Sequence, residues 1–196
     1  MKEIFIEGAK KLISNLKREL EDVNSKSGSV TEFLFGESYS RQSIVIKFGN
    51  RWEKYLNDFA KKYGQNLDFD CPDYVRGHQI DYIVKIINEN TSVNYDEIKC
   101  NVGLDSEKLP ATIKKILDVK EGLDKIYADH VIKRAGILHA VVWEKEDSPS
   151  SFSYYKRFED SGIPVKTLKD YFNQIGIDFT REDFYTLKRE IQTILR

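Results

Sequence analysis

The residues best placed to do chemistry are Asp81 in the run QIDYIVKII (79–87) and Glu97 and Lys99 in VNYDEIKC (93–100). Both runs are short and rich in Ile, Val and Tyr, the signature of strands, and Asn88 to Ser92 between them supply turn residues. The pattern predicts an antiparallel hairpin. Residues two apart on a strand share a face, so Glu97 and Lys99 project together. A turn centred at residue 90 puts Asp81 opposite Lys99 and diagonal to Glu97, within the ~5–8 Å that separates cross-strand neighbours and diagonals. Two carboxylates ~4 Å apart repel by about 4 kcal/mol at an effective dielectric near 20. A divalent cation removes that repulsion, and an all-oxygen ligand set favours Mg²⁺ or Mn²⁺ over zinc. Such an ion with a lysine beside it can bind a phosphate oxygen, acidify a water and stabilise a leaving oxygen, which suits phosphodiester hydrolysis. The same three side chains also read as an exposed cross-strand salt-bridge cluster that contributes little.

The elements that must hold these residues follow from periodicity. Residues 4–23 carry Phe5, Ala9, Leu12, Ile13, Leu16 and Leu20 at helical spacing. A second helix is expected over 43–63, with Phe48, Trp52, Leu56, Phe59 and Tyr63 as its apolar stripe and Gly64 as a left-handed stop. After the hairpin, residues 106–133 return to helical spacing, and Gly136 opens a continuous apolar run, ILHAVVW, expected to be a buried strand. Residues 165–176 and 180–195 read as two short amphipathic helices. The expectation is a single mixed α/β domain over 1–196, its core at about 42–143, with helical regions at 1–41 and 150–196.

Composition narrows the function classes. Thirty-one basic residues against 32 acidic ones give a net charge of −1, which excludes binding of nucleic acid by overwhelming positive charge but not through a local basic cleft. Two cysteines, Cys71 and Cys100, give no disulfide framework. No apolar run approaches the ~20 residues needed to cross a bilayer. The expectation is a soluble, cytoplasmic protein with no membrane partner.

An acid on one strand, 15 intervening residues (82–96), and Glu-x-Lys on the next strand, framed as α–β–β–α–β, resembles the PD-(D/E)xK nuclease superfamily. Within it the chain is most similar to type II restriction endonucleases, in size and in the run YDEIKCNVGLDSEKLPAT (Tyr95 to Thr112). The resemblance covers roughly residues 42–143. It implies a restriction-endonuclease-like mixed sheet flanked by helices, and a Mg²⁺-dependent homodimer, with Mn²⁺ as a substitute, cutting double-stranded DNA at a short palindromic sequence. Carried over, Asp81 and Glu97 are metal ligands together with the backbone carbonyl of Ile98, and Lys99 orients the attacking water. The proline that precedes the family's first acid is replaced here by Ile80. A literal Pro72-Asp73 stands eight residues earlier in a loop, so the first acid is Asp81 or Asp73. A structure-selective or repair nuclease, or a non-catalytic DNA-binding or interaction module, fits the same residues.

Further candidates surround this centre. Glu53, on the second helix, matches a glutamate that restriction-type nucleases use to support the metal through water; it reads equally as a solvated helical acid. Arg41 and Gln42 open that helix, and Asn101, Lys108, Lys114 and Lys115 follow the second strand. All are groups that meet phosphates or base edges, or simply polar faces. Among His78, His130 and His139 no metal-ligand spacing appears.

Overall fold

The computed structural model describes residues 1–24, 41–87, 91–103, 108–128 and 131–195, with the backbone alone at 20–24, 41–45 and 195. In chain order its elements are α1 (Lys2–Asn24), α2 (Arg41–Tyr63), β1 (Leu67–Asp68), β2 (Tyr74–Val75), β3 (His78–Gln79), β4 (Tyr82–Ile86), β5 (Ser92–Lys99), α3 (Lys108–Ile126), β6 (Ile132–His139), α4 (Phe152–Asp160), β7 (Val165–Thr167), α5 (Leu168–Gln174) and α6 (Arg181–Leu195). They pack as two units, Met1–Tyr55 with Phe179–Arg196, and Leu56–Asp178.

The first unit is helical. Phe5, Ala9, Ile13 and Leu16 line one face of α1, and all are buried. Phe5 meets Trp52 of α2 edge-on, with ring centroids 5.9 Å apart. The Tyr55 hydroxyl donates to the Phe5 carbonyl at 2.6 Å. A Cβ at Gly8 would stand 2.4 Å from that hydroxyl oxygen, so only glycine lets the two helices approach there. At the other end Lys17 Nζ donates to the Ile194 carbonyl at 2.8 Å, serving one of the acceptors that a helix C-terminus leaves without a partner.

The second unit is built on a five-stranded mixed sheet in the order β1-β4-β5-β6-β7. The first three strands run antiparallel and the last three parallel. Parallel neighbours need a crossover; α3 supplies it between β5 and β6, and α4 between β6 and β7. Val93, Tyr95, Ala135, Ile137 and Val165 form one buried cluster with Ile116, Val119 and Leu123 of α3 and with Tyr155 and Phe158 of α4. On the opposite face Tyr171 of α5 packs against Tyr82, centroids 6.2 Å apart, and its hydroxyl donates to the Leu56 carbonyl at 2.6 Å. Most of the aromatic residues after β6 are internal: Trp143, Tyr155, Phe158, Tyr171 and Phe172 are buried, while Phe152 stays exposed.

Several sequence expectations shift. The run 79–87 is not one strand: His78–Gln79 pairs with Tyr74–Val75 in a separate ribbon, and β4 begins only at Tyr82. The register Tyr82↔Asp96 puts Asp81 opposite Glu97 and diagonal to Lys99, two residues from the expected pairing. The helical stretch 106–133 ends at Ile126, and its strand starts at Ile132 rather than Gly136. Residues 165–167 are a fifth strand before a short helix, so the sheet extends past residue 143. Gly64 does not adopt the left-handed conformation; Asn66 does, at φ 56. Glycine is needed at 64 because a Cβ would stand 2.4 Å from Leu67 Cδ1 and 2.6 Å from the Ala60 carbonyl oxygen. No helix among the described residues is long and apolar enough to cross a membrane.

The β2–β3 ribbon lies against α3 at Gly122, where a Cβ would come within 2.3 Å of Val75 Cγ1. Alanine gains about 1 kcal/mol over glycine in helix propensity, but overpacking costs about 1–3 kcal/mol. Gly122→Ala is accordingly expected to lower the thermal midpoint, and to lose most of that cost in a Val75→Ala background when the two are compared in a double-mutant cycle.

Candidate functional site

The site forms where β5 outruns β4. The β4–β5 ladder stops at Tyr82↔Asp96, while β5 continues through Glu97 to Lys99 beside β6. Val93, Tyr95, Glu97 and Lys99 share one face by alternation, so the strand passes from an apolar core into a polar end within four residues. Asp81, at the bend just before β4, points to that same face. Its backbone is pinned by Asn57 of α2, whose Nδ2 donates to the Asp81 carbonyl at 3.0 Å.

Four charged side chains meet there. Lys99 Nζ lies 2.9 Å from Glu97 Oε1 and 3.4 Å from Asp81 Oδ2. From α3, Lys115 Nζ lies 2.6 Å from Glu97 Oε2 and 3.6 Å from Asp81 Oδ1. Each lysine thus takes one oxygen of each carboxylate. The Tyr95 hydroxyl adds a third donor, 2.5 Å from Glu97 Oε2; burial and the Glu97 charge push this phenol's pKa up, so it remains a donor. Glu97 itself is only 4% exposed.

The two acids are electrostatically unequal. Burial first, then the charge of Glu97, pushes the Asp81 carboxyl above its ordinary value, against the pull of Lys99 and Lys115. Burial also pushes Glu97 up, but the Lys99 charge and the hydrogen bonds from Lys115, Tyr95 and Lys99 outweigh it and hold the carboxyl down at about 2. Glu97 is the better-satisfied anion and Asp81 carries the residual repulsion.

Among the described residues no group of three or more His, Cys, Asp or Glu side chains could hold a metal ion. The donor set here is two carboxylates. A further oxygen lies on the same strand: Lys99 O accepts from Ala140 N on the β6 side, so by ladder alternation the Ile98 carbonyl turns toward the β4 side, past the last ladder pair. Three oxygens of this kind suit a hard divalent cation that keeps several waters. They do not suit zinc.

The other sequence candidates fall elsewhere. Asp73 is exposed, and its carbonyl accepts the Ile80 N–H at 3.0 Å; the acid that joins Glu97 and Lys99 is Asp81. Lys114 is 75% exposed and pairs with Asp118 at 2.5 Å one turn along α3. It lines a groove of about 620 Å³ with Leu109, Ile113, Leu117 and Arg157, to which no member of the quartet contributes. Asn101 is exposed, with its Oδ1 taken by the Gly103 N–H at 2.9 Å. Lys108 is exposed at the start of α3. Glu53 sits on the part of α2 that belongs to the helical unit. The side chains of Arg41 and Gln42, and all of His130, lie outside the described residues. His78 reaches Asp118 at 3.3 Å. His139 is buried with its Nδ1 2.6 Å from the Tyr155 hydroxyl, and burial lowers its pKa to about 4, so it is a neutral core residue.

Sequence reasoning missed Tyr95 and Asn57 and gave Lys115 only a phosphate-contact role. A signal for Lys115 was present. It precedes the buried Val119 by four residues, hence shares its inward face, whereas Lys114 precedes the partly exposed Asp118.

The unequal acids make opposite contributions to stability. Asp81, with its folded value raised, opposes folding when ionised, and that penalty is relieved as pH falls through the folded value. Glu97, held low, contributes stability that is fully present above its ordinary 4.5 and is lost as pH falls toward about 2. At pH 7 in chelator, Asp81→Asn is therefore expected to raise the thermal midpoint. Glu97→Gln is expected to lower stability by on the order of 3 kcal/mol, the scale for breaking a buried ion pair. Thermal denaturation of the two variants beside the wild type checks the signs. No family model, curated protein or solved structure matches this chain.

Proposed function

We propose that the chain is a Mg²⁺-dependent endonuclease of the type II restriction kind, hydrolysing double-stranded DNA at a short palindromic sequence. The observation that carries this reading is the convergence of Asp81, Glu97 and Lys99 at the open end of the β4–β5 ribbon. The element order supports it: the antiparallel pair β4–β5, the crossover helix α3 and the parallel strand β6 follow the β–β–α–β part of the α–β–β–α–β frame that the resemblance to PD-(D/E)xK nucleases implies.

In this reading Asp81, Glu97 and the Ile98 carbonyl would hold the ion. The bound ion supplies Lewis acidity, making a water more acidic and offsetting charge that builds on the phosphate. Tyr95 fixes the rotamer of Glu97 through its Oε2. Lys99, an ammonium tied to both acids, donates N–H groups that orient an attacking water and meet negative charge developing on the phosphoryl oxygens. The products are a 5′-phosphate and a 3′-hydroxyl. A homodimer would bring two such sites to the two strands, its two-fold axis matching a palindrome.

One observation favours a second reading. Two lysines already balance two carboxylates, so the quartet could serve as a buried ion-pair network in a non-catalytic DNA-binding or interaction module. Incubation of plasmid and phage DNA with the protein and Mg²⁺ separates the readings. Discrete, ligatable fragments are expected from the wild type, with a loss of at least ~100-fold in Lys99→Ala, the scale for removing one transition-state donor. Cleavage confined to branched or end-bearing DNA would point to a structure-selective or repair nuclease. DNA left equally intact by both proteins across Mg²⁺ and Mn²⁺ would leave the ion-pair network standing.

A further inference from the structure

Lys115 stands in an unusual relation to the two acids. Its Nζ lies 2.6 Å from Glu97 Oε2 and 3.6 Å from Asp81 Oδ1, so it holds the point from which one cation reaches both carboxylates on the α3 side. Lys99 takes the other pair of oxygens, Glu97 Oε1 and Asp81 Oδ2. The two lysines come from different elements, Lys99 from β5 two residues from Glu97 and Lys115 from α3. Their side chains are comparably covered, 26% and 22% exposed. The flexible four-carbon stem of a lysine lets its ammonium move without the backbone.

We infer that Lys115 is an internal counter-ion that competes with the divalent cation for Asp81 and Glu97 and must be displaced for the ion to bind. This rests on the metal-site reading above. An ammonium and a divalent ion cannot both sit against the same two oxygens, since like charges at that distance repel in a partly buried site. Ion binding at this site therefore includes the cost of breaking the Lys115 contacts, and the apparent affinity is weakened by that amount. Lys115 is a positioning residue in this scheme: it keeps two like-charged acids together and sets the ion concentration at which the site fills.

Calorimetric titration of Mn²⁺ into the wild type, Lys115→Met, Lys115→Gln and Lys114→Met tests this, with thermal midpoints measured in chelator and in saturating Mn²⁺. Removing the competing charge is expected to tighten Mn²⁺ binding at least 10-fold in Lys115→Met and Lys115→Gln and to leave Lys114→Met like the wild type. The Lys115 variants should melt below the wild type in chelator and close most of that gap in Mn²⁺. Lys115→Gln keeps an N–H donor for Glu97 and carries the test if the methionine variant does not fold. Equal or weaker binding by a folded Lys115 variant, with the wild type still binding Mn²⁺, would overturn the counter-ion role alone. No binding by any of the four proteins at millimolar Mn²⁺ would overturn this inference and the metal-site reading together.

Discussion

A buried carboxylate and a half-buried one, side by side at the end of a sheet, set the terms for everything around them. Asp81 and Glu97 come together because the antiparallel ladder between β4 and β5 ends one residue before they would pair, leaving them on one face without a strand partner to separate them. Isolated, such a pair would cost several kcal/mol. The surrounding elements each contribute an answer: Lys99 from the same strand, Lys115 from the crossover helix, and the Tyr95 phenol from below. The crossover itself is a consequence of parallel β5–β6 pairing, which requires a long connection and so lays α3 over this face. The chain topology that completes the sheet thus also delivers the second cation.

Much of this was legible in the residues. The alternation in VNYDEIKC was enough to place Glu97 and Lys99 on one face, and the spacing to Asp81 was enough to put a second acid nearby. The register came out two residues off because the turn between the strands was assumed symmetric about residue 90, whereas Tyr82 pairs with Asp96. Elements of two or three residues escaped for a different reason. β1, β2, β3 and β7 are too short to display any period, and their existence is decided by tertiary pairing. At 165–167 a helical spacing of apolar residues outweighed the strand, although Thr167 and Asp170 form a capping box that marks where the helix truly begins.

The side chains the sequence did not single out share a physical reason. Tyr95 reads as a core aromatic and is one, being fully buried; that its hydroxyl also meets Glu97 depends on both residues standing two apart on the same strand. Asn57 reads as a polar helix residue, and its bond to the Asp81 backbone depends on tertiary contact between the last two turns of α2 and the start of β4. Lys114 and Lys115 are chemically identical neighbours, and only the helix phase, set by Ile116, Val119 and Leu123 in the core, sends one to solvent and the other to the acids. Residue type marks the candidates, while phase and register decide which of them meet.

The central strand buries polar groups as well as apolar ones. Every residue from Ser92 to Ile98 is buried, yet Ser92, Asn94, Asp96 and Glu97 are polar. Asp96, on the face away from the quartet, is tied to Lys166 at 2.8 Å, and its Oδ1 lies where a Cβ on Gly136 would come within 3.0 Å. The glycine in β6 leaves room both for this acid and for the Pro164 carbonyl oxygen, which a Cβ would approach to 2.9 Å. Apolar residues of similar volume would serve a sheet interior as well or better, because desolvation offsets most of what a buried ion pair returns. The packing strength of this unit resides instead in the Val93, Tyr95 and Ile137 layer against α3 and α4. With the core supplied by that layer, Glu97 at the strand end is held by its own local partners, Lys99, Lys115 and the Tyr95 hydroxyl, and the stability its charge contributes depends on all three staying in place.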